Sequence, residues 1–187
     1  MRTHKIIAIS GSLREKSYNT ALLRAAQILA PEGMTIEIVS IDSLPVFNQD
    51  LEESNFPVLA QELRAKIKAA DGILIATPEF NRTPPGPLKN FLDWSSRPED
   101  EPLPWESKSV AVFGTSTGPR GASFAQYDVR RIMSYFNAHC MGQPELYVGL
   151  AEQKFDGTPT LTDEKTKAAI KKFLGAFSTF IERRSIV

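Results

Sequence analysis

Residues 5–20 are KIIAISGSLREKSYNT, which combine an apolar run, a polar turn and the start of a helix. The run from Ile6 to Ile9 has no polar alternation, which is typical of a parallel strand buried on both faces. From Ala21 to Leu29, apolar residues recur three and four positions apart, which predicts a helix. The first N–H groups of a helix lack partners and its dipole is positive there, so such turns bind anions. This segment therefore predicts a phosphate site.

The glycine pattern of this turn limits the kind of phosphate ligand. Gly11 is followed neither by the glycine and lysine of a Walker loop nor by the glycines of a dinucleotide-binding loop. A turn rich in hydroxyl and amide groups instead fits a mononucleotide, with Arg14 and Lys16 adding charge. The alternative is an ordinary strand-to-helix turn whose serine and asparagine residues only cap the helix.

Composition indicates a globular chain with balanced charge. Of 187 residues, 42% are hydrophobic, and 22 Lys and Arg balance 22 Asp and Glu. Zero net charge gives no electrostatic reason to expect nucleic acid or an anionic membrane as a partner. The single cysteine, Cys140, excludes an intrachain disulfide and a cysteine-based metal site. With neither a signal segment nor a membrane span in the pattern, we expect a cytoplasmic protein without a metal.

Strand and helix patterns alternate along the rest of the chain. After the first strand, further strands are predicted at 34–39, 73–76, 110–113 and 145–148, and further helices at 59–70, from Pro87, at about 122–137 and from about Thr162; residues 40–57 look irregular. This alternation predicts an α/β fold, a three-layer α/β/α sandwich of flavodoxin-like type. Its five-stranded parallel sheet would have the order 2-1-3-4-5, and residues 1–187 would form one domain.

Two more small or rigid loops follow predicted strands. One begins at Thr77 and contains three prolines before Gly86, and the other covers residues 114–121. In open α/β sheets, ligands bind at the carboxyl ends of strands where the strand order reverses. We therefore expect these two loops to join the turn at 11–19 in one binding site.

The three loops together resemble those of the NADPH-dependent FMN reductase family, most closely its quinone and chromate reductase-like members. The resemblance covers most of the chain and rests on GSLR at 11–14 with SYN at 17–19, PEFN at 78–81 with PG at 85–86, LKN at 88–90 and DW at 93–94, and TSTG at 115–118 with Gln126, Tyr127 and Arg130. It implies an FMN-dependent oxidoreductase. Hydride would pass from NADPH or NADH to flavin and then to a quinone, chromate, an azo compound or free flavin.

The resemblance also implies the roles of individual residues. FMN phosphate would be held by the first loop, the polar edge of the ring by the second, and the opposite side of the ring by the third. Phe80 or Tyr18 would pack beside the flavin, and Arg82 would be either a contact for NADPH phosphate or a solvated loop residue. The expected FMN-binding residues are Ser12, Leu13, Arg14, Lys16, Ser17, Tyr18, Asn19, Pro78, Glu79, Phe80, Asn81, Arg82, Ser116, Thr117 and Gly118.

Four positions depart from the family pattern. Phe80 stands where a tyrosine is usual, Arg82 replaces a common aromatic residue, Thr83 replaces a common serine, and Phe124 stands where close relatives carry an arginine. These departures concern substrate preference and subunit contacts more than flavin binding. The resemblance further implies a homodimer or homotetramer, and the aromatic residues of the helix at 122–137 are candidates for its interface.

Other functions of the same architecture fit less well. A flavodoxin-type electron carrier without its own nicotinamide-oxidising activity is usually strongly acidic, whereas this chain has no net charge. A phosphate-switch receiver needs paired aspartates after the first strand, where Ser10-Gly11-Ser12 offers none. A nucleotide hydrolase would need the Walker lysine. We expect no catalytic residue beyond the flavin, because His4 and His139 are far apart in sequence and no triad is visible.

Overall fold

A computed structural model describes residues 3–98 and 102–184. Strands and helices alternate as the sequence predicts. They are β1 (His4–Ser10), α1 (Tyr18–Ile28), β2 (Met34–Val39), α2 (Gln49–Ser54), α3 (Val58–Ala69), β3 (Gly72–Ala76), α4 (Gly86–Ser95), β4 (Ser109–Thr115), α5 (Ser123–Tyr135), β5 (His139–Cys140), β6 (Tyr147–Val148), a 3-10 turn (Ala151–Gln153) and α6 (Glu164–Arg184).

The sheet confirms the predicted topology. Its strands are parallel and run in the order β2-β1-β3-β4-β5, with β6 also paired to β4. The edge differs from the prediction of one strand at 145–148. There, β5 pairs with the start of β4 and β6 with its end, so two short strands share one position. Pro144 lies between them and has no N–H to donate, which is consistent with this break in the ladder.

The sheet is covered on both faces. On one face, β1 side chains such as Ile6 pack with α1 and α6, and the rings of Phe113 and Phe173 stack 5.5 Å apart. On the other face, Ile9 and its neighbours pack with α3, α4 and α5. Every residue of β3 and β4 is buried, which explains the apolar runs at 73–76 and 110–113.

One predicted irregular segment contains a helix. Residues 40–57 include α2, which begins after Asn48, whose side-chain oxygen accepts a hydrogen bond from the N–H of Asp50 at 2.9 Å. None of its six residues is buried, so it leaves no apolar periodicity in the sequence. Among the helices of the described residues, none combines the length and apolar content needed to cross a bilayer.

Candidate active site

Three loops meet at the carboxyl edge of the sheet. The first loop (residues 11–17) follows β1, the second loop (77–85) follows β3 and the third loop (116–122) follows β4. The N–H of Gly11 donates to the carbonyl of Ala76 at 2.8 Å. A Cβ on Gly11 would lie 3.0 Å from Cδ of Pro78, so the first and second loops touch closely enough to favour glycine.

Asn19 joins the start of α1 to the end of β4, just before the third loop. Its amide donates to the carbonyl of Thr115 at 3.0 Å, and its side-chain oxygen accepts from the N–H of Thr115 at 3.0 Å. The residue is buried at 4% exposure. The sequence indicated a phosphate ligand here; the structure shows in addition a two-bond link that positions the third loop, with one amide hydrogen left over.

Glu79 joins the second loop to α5. Its carboxylate accepts from the N–H of Phe124 at 2.9 Å and from the N–H of Ala125 at 3.2 Å. A carboxylate at this position caps the first turn and opposes the positive end of the helix dipole. The sequence analysis places Glu79 among the FMN-binding residues but does not predict this link, since Glu79 and α5 are distant along the chain.

The first loop ends in the residue that caps α1, and it also carries two exposed cationic side chains. Ser17 is the N-cap of α1, and its hydroxyl accepts from the N–H of Thr20 at 3.2 Å. The hydroxyl of Thr20 donates to that of Ser10 at 2.9 Å. The capping alternative therefore holds for the buried side chain of Ser17. The side chains of Arg14 and Lys16 are exposed, and no acidic residue lies in the first turn of α1.

Tyr18 packs between a core ring and a cation. Its ring lies 5.2 Å from that of Phe155, and Cζ of Arg14 lies 5.4 Å from the Tyr18 ring centroid. This cation–π contact holds the guanidinium of Arg14 beside the first loop. Ser12 and Leu13 precede it, with Leu13 48% exposed.

The second loop is a tight turn. Phe80 and Thr83 exchange backbone hydrogen bonds of 3.1 and 3.0 Å, so only Asn81 and Arg82 lie between them. Both central residues have positive φ, 51° and 69°, as in a type I′ turn. Asparagine tolerates this conformation readily, whereas arginine is disfavoured in it. The turn places Phe80 in solvent at 63% exposure.

The third loop is fixed against β6 and the segment after it. The N–H of Ser116 donates to the carbonyl of Val148 at 3.2 Å, and the hydroxyl of Ser116 donates to the carbonyl of Gly118 at 3.1 Å. Thr117 and Gly118 are exposed. Nearby, burial raises the pKa of Tyr147, and the neighbouring Glu145 and Tyr127 raise it further, so this phenol stays neutral.

The residues present fit an anionic mononucleotide. The exposed cations Arg14 and Lys16 lie in the loop that leads into the positive end of α1, where no acidic residue lies in the first turn, and this suits a phosphate. The second and third loops offer exposed backbone and hydroxyl groups beside them. The predicted residues of all three loops are thus brought to one region of the molecule by the contacts of Gly11, Asn19 and Glu79.

Comparison with known proteins identifies a family. The model of the NADPH-dependent FMN reductase family matches residues 4–153. An NAD(P)H-dependent FMN reductase of Pseudomonas aeruginosa is 38% identical over 179 residues, which is 96% of both chains. A 2-hydroxy-1,4-benzoquinone reductase of a Burkholderia species is 37% identical over 182 residues, covering 97% of this chain and 98% of the relative.

A solved structure supports the same assignment. FerB of Paracoccus denitrificans, a flavoenzyme NAD(P)H:(acceptor) oxidoreductase, superposes with a TM-score of 0.88 at 33% identity. The match covers 97% of this chain and 99% of FerB. The flavodoxin-like fold, FMN as cofactor and NAD(P)H as electron donor, all expected from the sequence, are confirmed. The chain belongs to the NADPH-dependent FMN reductase family and is an NAD(P)H-dependent oxidoreductase.

Proposed function

We propose that residues 1–187 act as a single cytoplasmic domain that transfers electrons from NAD(P)H, through FMN, to a quinone. The observation that supports this most is the joining of three loops at one sheet edge through Asn19 and Glu79. The relatives named for a quinone or benzoquinone substrate include one at 37% and one at 35% identity. When bound, FMN supplies the redox chemistry, and the protein supplies binding and orientation.

Each loop has a separate task in this proposal. The first loop holds the phosphate, the second holds the polar edge of the flavin ring, and the third closes the other side. Exposed Phe80 offers an apolar surface beside the ring for a planar acceptor. The proposed contacts are Ser12, Leu13, Arg14, Lys16, Ser17, Tyr18 and Asn19 in the first group, Pro78, Glu79, Phe80, Asn81 and Arg82 in the second, and Ser116, Thr117 and Gly118 in the third.

The acceptor class is tested by steady-state kinetics on the FMN-loaded protein. With NADPH fixed, benzoquinones and naphthoquinones are compared with chromate, an azo dye and free FMN. We expect the quinones to give the highest kcat/KM. A higher kcat/KM for free FMN than for every quinone would contradict the assignment and indicate a flavin reductase.

Arg14→Ala should weaken FMN binding without unfolding the protein. The exposed guanidinium contributes charge to the phosphate end and little to packing, so we expect about a tenfold loss of FMN affinity. The melting temperature of the apo form should stay close to the parent value. Quenching of flavin fluorescence gives the affinity. Arg24→Ala, which removes an exposed arginine further along α1, is the matched control and should bind FMN normally. Equal FMN affinities of the Arg14→Ala and Arg24→Ala variants would show that Arg14 does not contact the FMN phosphate.

We also propose that the protein is a homodimer or homotetramer that uses the exposed face of α5. Tyr127 and Tyr135 are 58% and 86% exposed, and Arg131 lies between them at helical spacing. A cavity of about 740 Å³ lies next to this face, between α4 and α5. Large aromatic and arginine side chains are enriched at interfaces.

Tyr135→Glu should lower the oligomeric state, because it replaces the most exposed aromatic ring of the proposed contact with a charge. Light scattering coupled to size exclusion measures the mass. Ile28→Glu, an exposed apolar residue on α1, is the control and should leave the mass unchanged. A parent protein that is monomeric at high concentration, or a Tyr135→Glu variant with unchanged mass, would contradict this interface.

A further inference from the structure

Two arginines from different loops flank one aromatic ring beside the proposed flavin site. Phe124 opens the first turn of α5 and is 46% exposed. Cζ of Arg82, from the second loop, lies 4.9 Å from its ring centroid, and Cζ of Arg120, from the third loop, lies 5.6 Å from it. Both distances allow cation–π attraction. The same ring therefore orients two positive charges.

The backbone that carries this cluster is held in place. Arg82 has a φ of 69° inside the two-residue turn closed by Phe80 and Thr83. Such a left-handed conformation costs a non-glycine residue free energy, and strain of this kind is concentrated at functional sites. Glu79 ties the same loop to the N–H groups of Phe124 and Ala125. These contacts fix Arg82 and the Phe124 ring relative to each other, and Arg120 reaches the same ring from the third loop.

Among the residues that the structure describes, none is an anionic partner for this pair. In the described parts of the chain, neither Arg82 nor Arg120 forms an ion pair with a carboxylate, and both are exposed. The nearby carboxylate of Glu79 is already engaged by the backbone of α5. Two like charges on one ring repel each other, and an anion that bridges them removes this cost. Guanidinium groups match the geometry of phosphate oxygens, and a doubly charged phosphomonoester suits two of them best.

We propose that Arg82 and Arg120 bind the 2′-phosphate of NADPH and give it preference over NADH, with Phe124 as the residue that positions both. NADPH and NADH differ only in this phosphomonoester. The 2′-phosphate is on the adenosine ribose, so the pair, which lies on the second and third loops, would hold the adenosine end of the donor at the rim of the proposed flavin site. This inference rests on the proposed FMN-loaded, NAD(P)H-oxidising site, and it names residues that distinguish the two donors.

The kinetic test compares both donors in single variants. Arg82→Ala and Arg120→Ala should each lower the ratio of kcat/KM for NADPH to kcat/KM for NADH about tenfold, since each removes one charge-assisted contact. For Arg120→Ala, which removes no proposed FMN contact, kcat/KM for NADH should change less than about twofold. Phe124→Leu should raise KM for NADPH with little change in kcat, because the phosphate contacts persist but lose their orientation. Arg82→Lys should restore part of the preference. Arg24→Ala is the control for the loss of a surface arginine. Unchanged NADPH/NADH ratios in both alanine variants would overturn the inference.

A binding experiment tests the site without turnover. Calorimetric titration compares 2′,5′-ADP with 5′-AMP, which differ by the 2′-phosphate alone. We expect 2′,5′-ADP to bind about tenfold more tightly or better, and Arg82→Ala/Arg120→Ala to abolish the difference. Equal affinity of the parent protein for both ligands, or a double variant that keeps the preference, would overturn the inference.

Two outcomes separate this inference from related ones. The phosphate of free FMN, offered as an acceptor, has the same chemistry as the 2′-phosphate. If the double variant raises KM for free FMN and leaves the NADPH/NADH ratio unchanged, the pair serves the acceptor and the NADPH assignment is wrong. If the FMN-loaded protein oxidises neither nucleotide, the proposed function fails, while the titration with 2′,5′-ADP still decides whether the phosphate site exists.

Discussion

Gly114→Ala should leave the protein poorly folded and unable to bind FMN. A Cβ at this position would lie 2.2 Å from the carbonyl oxygen of Thr77, which is backbone and cannot rotate away. Gly114 is the penultimate residue of β4, and Thr77 begins the second loop, so the clash would separate two loops of the site. We expect a loss of at least about 3 kcal/mol in the free energy of unfolding. Urea unfolding followed by circular dichroism measures it.

Gly142→Ala is the matched control for this prediction. It lies in an exposed segment between β5 and β6, and an added Cβ would meet no atom within 4 Å. Its unfolding midpoint should stay close to that of the parent protein. If Gly114→Ala unfolds at the same urea concentration as Gly142→Ala, the close approach of β4 and the second loop is not as described.

Asn19→Ala should destabilise the fold and weaken FMN binding together. The substitution removes both hydrogen bonds to Thr115 and leaves a buried N–H and a buried carbonyl without their partner. Each such group costs about 1–2 kcal/mol, so we expect a loss of about 2–4 kcal/mol. FMN affinity should fall as well, because α1 and the third loop would no longer be held at a fixed distance.

Asn55→Ala provides the comparison, because Asn55 is exposed and lies far from the three loops in sequence. It should change neither the unfolding free energy nor FMN affinity appreciably. An Asn19→Ala variant that keeps full stability would show that the link to Thr115 contributes nothing. An Asn19→Ala variant that loses stability but keeps FMN affinity would show that Asn19 stabilises the fold and does not contribute to FMN binding.

The sequence predicts the central strands well because a strand that is buried on both faces consists of a continuous run of apolar residues. Residues 6–9 of β1, 73–76 of β3 and 110–113 of β4 are covered on both faces, so these runs are apolar without interruption. The buried face of α6, which includes Phe173 and Phe177, is equally well predicted, because its apolar residues recur at helical spacing. Short elements such as β5 and α2 are not, since two strand residues or one exposed helix of six carry no periodic signal.

The site is predictable as three loops but not as a set of contacts. Each loop is small, polar or rich in proline at the end of a strand, and the topology places such ends together. Which side chains connect the loops depends on turn geometry that spacing does not show. The positive φ of Arg82 brings it to Phe124, and the capping of α5 engages Glu79. Two departures from the family pattern, at positions 82 and 124, thus turn out to be in contact.

If the three loops hold FMN where NAD(P)H can reduce it, the flavin should lose its visible absorption on contact with the donor. The most direct measurement mixes the FMN-loaded protein with NADPH, and separately with NADH, under anaerobic conditions and records the visible flavin band. We expect rapid bleaching, faster with NADPH, and recovery of the band when a quinone is added. A protein that takes up no FMN, or one whose flavin band persists with both nucleotides, would contradict it.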